Sequence, residues 1–353
     1  MKQAETLAGT APTLGLGARS LFLVWGPPSH GPRSIVFARE LGIEASFLVA
    51  TRRRGMLAGL YKYPVQAAKT MGLLLRRRPR VVFVQNPPSF APILVWIYCA
   101  LSGARFVVDA HSGAMQFRFW TRPRFLYRAM ARAAVTTIVT NDRFAATIRG
   151  YGGRALVVAD IPTTYPSTGA YAVPDGFNVM MVSSFAWDEP LDEVLAAARS
   201  MPEVGFFVTG DPARLGDGVP QDIPVNVHLT GFLPEDDYYA LMAASDAVMC
   251  LTKRDDTMQR GACEAVWVGR PIVTSHWRVL RDTFGAGAAY ADNTEEGIRD
   301  AILDVARDPD RYVGEIERLR AEHRLAWDRA LRSRDALLGG PNERSGRAAG
   351  GDV

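Results

Sequence analysis

Residues 247–275 read AVMCLTKRDDTMQRGACEAVWVGRPIVTS, in which two apolar runs flank an amphipathic segment. The runs at 247–252 and 271–275 have the length and composition of short buried strands. The segment between them, 257–268, is predicted to be a helix, and the glycine and proline that follow it mark its end. A strand, a helix and a second strand in this order form the unit from which parallel α/β sheets are built.

The same alternation continues along most of the chain. Further apolar runs of strand length occur at 20–26, 45–50, 81–85, 105–110, 136–140, 155–162, 177–184, 203–211 and 225–233. The segments between them are long enough for helices, and 165–176 has the composition of a linker. We therefore predict two consecutive parallel-sheet domains with a cleft between them, and ligands beyond the carboxyl ends of the strands.

The predicted divisions follow from this alternation and from the polar composition of both ends. They are a flexible N-terminus (1–18), an N-terminal Rossmann-like domain (19–170), a C-terminal Rossmann-like domain with a terminal helix (171–338) and a disordered tail (339–353). A chain of 353 residues is long enough for two domains of ordinary size.

Cysteine content and hydropathy indicate the compartment. Cys99, Cys250 and Cys263 lie in apolar stretches without metal-like spacing, which is typical of a reducing environment. The first twenty residues lack the continuous apolar segment of a signal peptide. The most apolar run, 91–101, is shorter than the ~20 residues that a membrane span needs. These features predict a cytoplasmic protein without a membrane span.

The net charge of +4 conceals a strong asymmetry. Residues 1–170 hold 22 Lys and Arg against 6 Asp and Glu, a balance of +16, whereas the remainder holds 19 against 31, a balance of −12. A solvated basic face and nucleic-acid binding are alternatives, but no nucleic-acid recognition module accompanies the charge. Residues 55–79 mix Leu, Met and Tyr with Lys and Arg in the manner of a surface-lying amphipathic helix. We predict that the N-terminal domain contacts an anionic membrane and that the protein binds no nucleic acid.

The predicted helix 257–268 has two candidate roles. Its N-terminus follows a strand, so its free N–H groups and its dipole suit an anion such as a diphosphate, and Lys253 and Arg254 add positive charge. Glu264 stands among apolar residues, and a carboxylate can accept hydrogen bonds from both hydroxyls of a ribose. Eight helical residues from Asp256 to Glu264 span ~12 Å, on the order of the distance from a donor sugar to the ribose.

The alternative interpretation of this helix is structural. Asp255, Asp256 or Thr257 would cap it by accepting hydrogen bonds from its free N–H groups. Glu264 would then be a partly exposed side chain with no role in binding.

The stretch resembles the nucleotide-sugar site of GT-B glycosyltransferases, especially the GT4-like families, whose pattern is E-x7-E. Here the pattern is D-x7-E, from Asp256 to Glu264. Residues 229–251 resemble the segment that leads into that site. Residues 82–113 and 182–190 are similar to stretches of the β-1,4-mannosyltransferase family that elongates chitobiosyldiphosphodolichol.

This resemblance implies an α/β GT-B fold, in which two Rossmann-like domains face each other across a cleft, and a metal-independent hexosyltransferase. With the loop positions, it assigns the donor site to Ser183, Ser184, Gly210, Gly231, Phe232, Lys253, Arg254, Thr257, Met258, Arg260 and Glu264, with Asp256 as a catalytic candidate near the sugar. One departure concerns residues 182–194, which lack the Arg and Lys that GT4-like enzymes commonly place there to hold the diphosphate.

The N-terminal domain supplies the remaining candidates. His111 follows the run 105–110, and its imidazole titrates near working pH, so it is a candidate base or donor-positioning group. Asp109 is predicted either to orient His111 or to be the base itself. Gly26, His30 and Arg33 are predicted to form an acceptor or phosphate loop.

The sequence therefore predicts a glycosyltransferase that moves a sugar from a UDP- or GDP-type donor to a lipid-linked or other cell-surface glycan acceptor. It would be peripheral on the inner face of the cell membrane, with the nucleotide sugar as substrate and no further cofactor. The alternatives are a nucleotide-sugar epimerase of the same fold and a non-catalytic partner of a membrane transferase.

Overall fold

The computed structural model describes residues 19–27, 32–50, 56–165, 169–218 and 222–332. The predicted flexible N-terminus, the disordered tail and His30 lie outside the described residues.

The chain divides into two compact units. The first comprises the described chain up to Ile161 and the last helix from Asp328 onward, and the second comprises Pro162–Trp327. The predicted domains, 19–170 and 171–338, differ from these units because the division precedes the predicted linker and the last helix is shared. The shared helix is α12 (Pro309–Arg332), which accounts for the predicted terminal helix.

The first unit is built on a six-stranded parallel sheet in the order β2-β1-β3-β4-β5-β6. Its strands are β1 (Ser20–Val24), β2 (Glu44–Phe47), β3 (Val81–Asn86), β4 (Arg105–Ala110), β5 (Thr137–Val139) and β6 (Ala155–Val157). Its helices are α1 (Pro32–Leu41), α2 (Met56–Arg77), α3 (Phe90–Ser102), α4 (Ser112–Gln116), α5 (Arg124–Ala133) and α6 (Asp142–Gly150). All of β3 is buried, as expected for a parallel strand covered on both faces.

The second unit has a six-stranded parallel sheet in the order β12-β11-β10-β7-β8-β9. Its strands are β7 (Phe177–Met181), β8 (Val204–Thr209), β9 (Val227–Gly231), β10 (Ala247–Cys250), β11 (Ile272–Ser275) and β12 (Ala288–Ala291). Its helices are α7 (Leu191–Arg199), α8 (Glu235–Ala244), α9 (Arg260–Val268), α10 (Arg278–Phe284), α11 (Glu295–Arg307) and most of α12, with short 3₁₀ turns at Pro212–Gly218 and Gly285–Gly287.

The order of strands in the second sheet is the Rossmann order. The chain runs from β7 outward through β8 and β9, then returns to place β10 on the other side of β7. In such sheets ligands bind beyond the carboxyl ends of the strands where the order reverses, which here is between β7 and β10.

The predicted α/β fold with two parallel sheets is confirmed. Every described strand except β12 overlaps a predicted run, and β12 is built largely from alanine, which has a low preference for strands. Within the described part of the chain, no helix combines the length and the apolar character needed to cross a bilayer.

Candidate functional site

The loops after β7 and β10 are joined directly in the second unit. The hydroxyl of Thr252 donates a hydrogen bond to the carboxylate of Asp188 at 2.8 Å, and the backbone N–H of Lys253 donates to the carbonyl of Asp188 at 2.6 Å. Asp188 is buried. These bonds fix the two loops that border the point where the strand order reverses. Asp188 was not predicted as a site residue, because its partner is distant in the sequence.

The predicted donor residues Ser183 and Ser184 bind a carboxylate of the protein itself. The Ser183 hydroxyl donates to Glu189 Oε2 at 2.6 Å, and the Ser184 hydroxyl donates to Glu189 Oε1 at 2.8 Å. The backbone N–H of Ser184 also donates to both oxygens, each at 3.1 Å. The loop therefore presents several donors to one anionic group. Sequence reasoning missed Glu189, although the lack of basic residues in this stretch indicated an unusual loop.

Gly210 and Gly231 bring the ends of β8 and β9 to the same place. Both have a positive φ, +107° and +72°, which glycine adopts without strain. The N–H of Gly210 donates to the carbonyl of Gly231 at 3.1 Å. A Cβ on Gly210 would lie 2.5 Å from the carbonyl oxygen of Ser183. Phe232, the next residue after β9, is exposed.

Helix α9 begins at Arg260, later than the predicted start at 257. Asp256 adopts φ +56° and its N–H binds the carboxylate of Asp255 at 2.7 Å, so the chain turns here before the helix begins. The N-cap is Gln259, without a side-chain cap bond. The N-cap position is therefore not Asp255, Asp256 or Thr257, and the span from Asp256 to Glu264 is not a continuous helix.

The first turn of α9 packs closely on the sheet. A Cβ on Gly261 would lie 2.7 Å from Cγ1 of Val182 and 2.9 Å from Sγ of Cys250. Only a glycine permits this approach. Thr257 and Met258 precede it in the turn and are partly buried.

Glu264 is buried, with 8% of its surface exposed, which corrects the expectation of a partly exposed side chain. Its carboxylate accepts hydrogen bonds from Arg260 Nε at 3.0 Å and from the Tyr238 hydroxyl at 2.9 Å. Arg260 also donates to the hydroxyl of Tyr165, whose ring stacks on Tyr239 at 4.3 Å. Burial, and then the charge of Glu264, raise the pKa of Tyr238 well above its ordinary range. Tyr238 therefore remains a neutral donor.

The predicted phosphate-binding cations of the second unit have partners within it. Lys253 Nζ lies 2.7 Å from Glu193, and the Arg254 guanidinium lies 5.8 Å from the centre of the Trp187 ring. Arg260 is held by Glu264 as described above. A diphosphate would have to compete with these partners.

In the first unit, Asp109 and His111 form a pair at the carboxyl end of β4. Asp109 Oδ2 lies 3.1 Å from His111 Nε2, and Asp109 Oδ1 lies 3.5 Å from Arg33 Nε. Asp109 is 1% exposed. Burial acts to raise the pKa of Asp109, but the charges of Arg33 and His111 and the hydrogen bond with His111 outweigh it and hold the pKa below its ordinary value. Asp109 is therefore ionised. Because its pKa is lowered, the carboxylate binds a proton weakly and is a poor general base.

The backbone fixes the position of His111. Its N–H donates to the carbonyl of Asn86, at the end of β3, at 2.8 Å. Its side chain is 24% exposed. Because Nε2 faces Asp109, Nδ1 is the nitrogen that can accept a proton from an incoming hydroxyl. Gly26 follows β1 at the same edge, and Arg33 Nη2 is held by the carbonyl of Val158 at 2.8 Å.

The described side chains offer no group of three or more His, Cys, Asp or Glu that could hold a metal ion.

No protein-family model and no curated protein sequence matches this chain. Solved structures match its fold. Sucrose-phosphate synthase from Thermosynechococcus elongatus is 13% identical, with 90% of this chain and 98% of that chain covered and a TM-score of 0.68. HepE from Anabaena, in complex with UDP and glucose, is 16% identical, with coverage of 91% and 100% and a TM-score of 0.65. The fold is GT-B.

The fold is also shared with a protein assigned to a different reaction. A protein from Listeria monocytogenes assigned as a UDP-N-acetylglucosamine 2-epimerase is 11% identical, with coverage of 91% and 96% and a TM-score of 0.59. At such identities the likeness defines the fold and leaves the reaction open. The resemblance to the β-1,4-mannosyltransferase family stays a prediction.

Proposed function

We propose that the protein is a hexosyltransferase that moves a sugar from a UDP- or GDP-type donor to a lipid-linked or other cell-surface glycan acceptor. The observation that carries this proposal is the convergence of loops at one edge of the second unit. The loops after β7 and β10 are joined where the strand order reverses, through Asp188 and Thr252. Gly210 and Gly231 end the next two strands, β8 and β9, at the same edge of the sheet, and Gly210 lies against Ser183. HepE, which shares the fold, has been solved with UDP-glucose.

In this proposal the second unit binds the nucleotide sugar. Ser183 and Ser184, whose donors now bind Glu189, would turn them to the diphosphate when it displaces that carboxylate. Lys253, Arg254 and Arg260 supply positive charge. Glu264 accepts hydrogen bonds from the ribose hydroxyls, with Tyr238 and Arg260 holding its carboxylate in place. The protein needs no cofactor and no metal, because the basic groups balance the charge of the leaving diphosphate.

The first unit receives the acceptor and supplies the base. His111 Nδ1 removes the proton from the attacking hydroxyl in an inverting transfer, while Asp109 orients the ring and stabilises its positive charge. In a retaining transfer no such base is needed, and His111 positions the donor. The basic surface of this unit would keep the protein peripheral on the inner face of the membrane.

The test is a thermal-shift screen of the full chain against UDP, GDP, ADP and their common sugar conjugates, because a ligand stabilises the state that it binds. We expect a rise in melting temperature with a UDP or GDP compound. Glu264→Gln should weaken that nucleotide's binding several-fold more than Glu235→Gln, an exposed change on α8. Equal effects of the two changes would remove Glu264 from the donor site.

The epimerase alternative is favoured by the structural likeness to the Listeria protein. An epimerase would convert a UDP sugar into its epimer with no acceptor present, which NMR of the free nucleotide sugar detects. A transferase leaves that sugar unchanged until acceptor is added.

The non-catalytic alternative is favoured by the contacts that Lys253 and Arg260 already make with Glu193 and Glu264. It predicts no thermal shift with any nucleotide.

A further inference from the structure

The segment between α4 and α5, together with the first residues of α5, presents aromatic and basic side chains to solvent. Its exposed members are Phe117 (47%), Phe119 (66%) and Phe125 (74%), together with the exposed residues Arg118, Arg122 and Arg124. We call residues 117–125 the Phe–Arg loop. Arg118, Phe119, Arg122, Pro123 and Arg124 line a shallow depression in its surface. A soluble surface rarely keeps several large aromatic rings exposed so close together unless they meet a partner.

The loop is held in this exposed arrangement by contacts beneath it. The Phe119 ring packs edge-on against Trp120, with ring centres 4.8 Å apart, and Trp120 packs in turn against Phe90 at 6.1 Å. The Ser89 hydroxyl donates a hydrogen bond to the carbonyl of Trp120 at 2.5 Å. Since the backbone and Trp120 are anchored to the start of α3, the outer rings project from a fixed base.

All charged side chains of the Phe–Arg loop are positive. The sequence has no acidic residue between Asp109 and Asp142. Among the described residues, no carboxylate forms an ion pair with Arg118, Arg122 or Arg124. Three guanidinium groups around an aromatic ring match the phosphates and the apolar boundary of an anionic bilayer.

We infer that the Phe–Arg loop is the element by which this protein binds anionic phospholipid membranes. Phe119 and Phe125 enter the boundary between headgroups and acyl chains, and the three arginines bind lipid phosphates. This assignment differs from the sequence-based one, which placed membrane contact on 55–79. In the structure Leu74 is fully buried, and Met71 and Leu73 of the same helix pack on the core of the first unit.

The position of the loop also suggests what the attachment does, and this step rests on the proposed transferase function. The backbone N–H of Phe117 donates to the carbonyl of Gly113 in α4, the short helix that His111 caps. Membrane attachment through the loop thus holds the lipid-linked acceptor on the side of the unit that carries the proposed base.

The experiment is flotation of the full chain with vesicles of pure phosphatidylcholine or of phosphatidylcholine with one-quarter phosphatidylglycerol. We expect binding to the anionic vesicles only. Arg118→Ser/Arg122→Ser/Arg124→Ser should lower the partition coefficient by about 100-fold, since each basic residue near an anionic surface contributes roughly a fivefold factor. Phe119→Ser/Phe125→Ser should lower it by at least tenfold at high salt, where the arginines are screened. The matched control is Leu75→Ser/Arg76→Ser, on the exposed face of α2.

A second measurement reports insertion directly and does not depend on a loss of binding. Cys99, Cys250 and Cys263 are buried, so Phe125→Cys offers an exposed thiol for an environment-sensitive dye. We expect a blue shift of the dye on anionic vesicles and quenching by brominated acyl chains.

Unchanged binding of the loop variants, equal loss in the α2 control, or a dye that stays in water would each overturn the inference. Binding of a single-stranded oligonucleotide with no binding of vesicles would overturn it in favour of a nucleic-acid surface. The thermal-shift screen with nucleotides is scored separately, so failure of the membrane inference is distinguishable from failure of the proposed function.

Discussion

Each unit of this molecule buries a carboxylate against an arginine, and the two pairs are built differently. Asp109 lies on a strand and meets Arg33 from a distant helix, with His111 on its other oxygen. Glu264 lies on a helix and meets Arg260 one turn earlier, with the Tyr238 hydroxyl as a second donor.

The difference lies in the second partner. An imidazole has two ring nitrogens, so while one of them faces Asp109 the other can accept a proton, and the pair in the first unit can take part in proton transfer. Burial and the charge of Glu264 raise the pKa of Tyr238, so the Tyr238 hydroxyl keeps its proton and remains a hydrogen-bond donor to Glu264. The first arrangement is suited to acid–base chemistry and the second to holding a ligand.

The largest expected effect is on turnover. His111→Gln should lower the rate of transfer by roughly 10²–10⁴-fold, since general-base catalysis contributes factors of that size. Nucleotide binding, which we place in the other unit, should not change. His228→Gln, an exposed change in the second unit, is the control. A rate unaffected by His111→Gln would show that the two pairs do not differ in the way we describe.

The next effect is on stability. Asp109→Asn leaves the Arg33 guanidinium without its carboxylate partner and should lower the free energy of unfolding at pH 7 by about 3 kcal/mol. Glu44→Gln, which removes the exposed partner of Arg77, should cost less than about 1 kcal/mol. Urea unfolding at pH 7 measures both.

The same variant tests the depressed pKa of Asp109. A carboxyl whose pKa is lower in the folded state stabilises the fold above its unfolded value, about pH 3.9, and loses that contribution as pH falls through the folded pKa. The wild-type melting temperature should therefore fall more steeply below about pH 4 than that of Asp109→Asn. Parallel curves would contradict the assignment.

A smaller effect is expected in the second unit. Tyr238→Phe removes one charge-assisted hydrogen bond to Glu264, while Arg260 still holds the carboxylate, so we expect a loss of about 1.5 kcal/mol in the free energy of unfolding. Tyr290→Phe, which loses an exposed bond to the carbonyl of Gly285, should lose less. Equal losses would mean that Glu264 is held by Arg260 alone.

The smallest effect concerns the balance of charge around the proposed donor site. Glu193→Gln releases Lys253 from its ion pair and should tighten nucleotide binding two- to fivefold, roughly the value of one exposed pair. Glu203→Gln makes the same change of charge at an exposed position of the second unit and should have little effect. Isothermal titration with the nucleotide found in the thermal screen measures the dissociation constants of both variants. Weaker binding in Glu193→Gln would place Lys253 outside the site.

Much of the fold was predictable because it depends on local pattern. Apolar runs of strand length alternate with helical segments, and parallel sheets follow from that alternation. Two details of the fold could not be predicted from the local pattern of residues. Strand β12 has a single aromatic residue among three alanines and no β-branched residue, and the start of α9 depends on the positive φ of Asp256, which no composition rule anticipates.

The candidate site was predictable in part. The position of His111 after a strand indicated its place at the carboxyl edge, and its contact with Asp109 follows from their separation by one residue. The contacts of Asp188 with Thr252 and of Asp109 with Arg33 join residues far apart in the sequence. Such contacts depend on the order of strands in the sheet, which a single sequence does not specify.

The close approach of α9 to its sheet at Gly261 has a consequence for genetics. In a growth selection, Gly261→Ala should behave as a conditional allele, tolerated in the cold and lost on warming, because the methyl group pushes the helix away from Val182 and Cys250. Substitutions of Glu264 that abolish binding should fail at every temperature. A mutational scan at two growth temperatures would thus separate the position needed for packing from the position proposed to bind the ligand, three residues apart on the same helix.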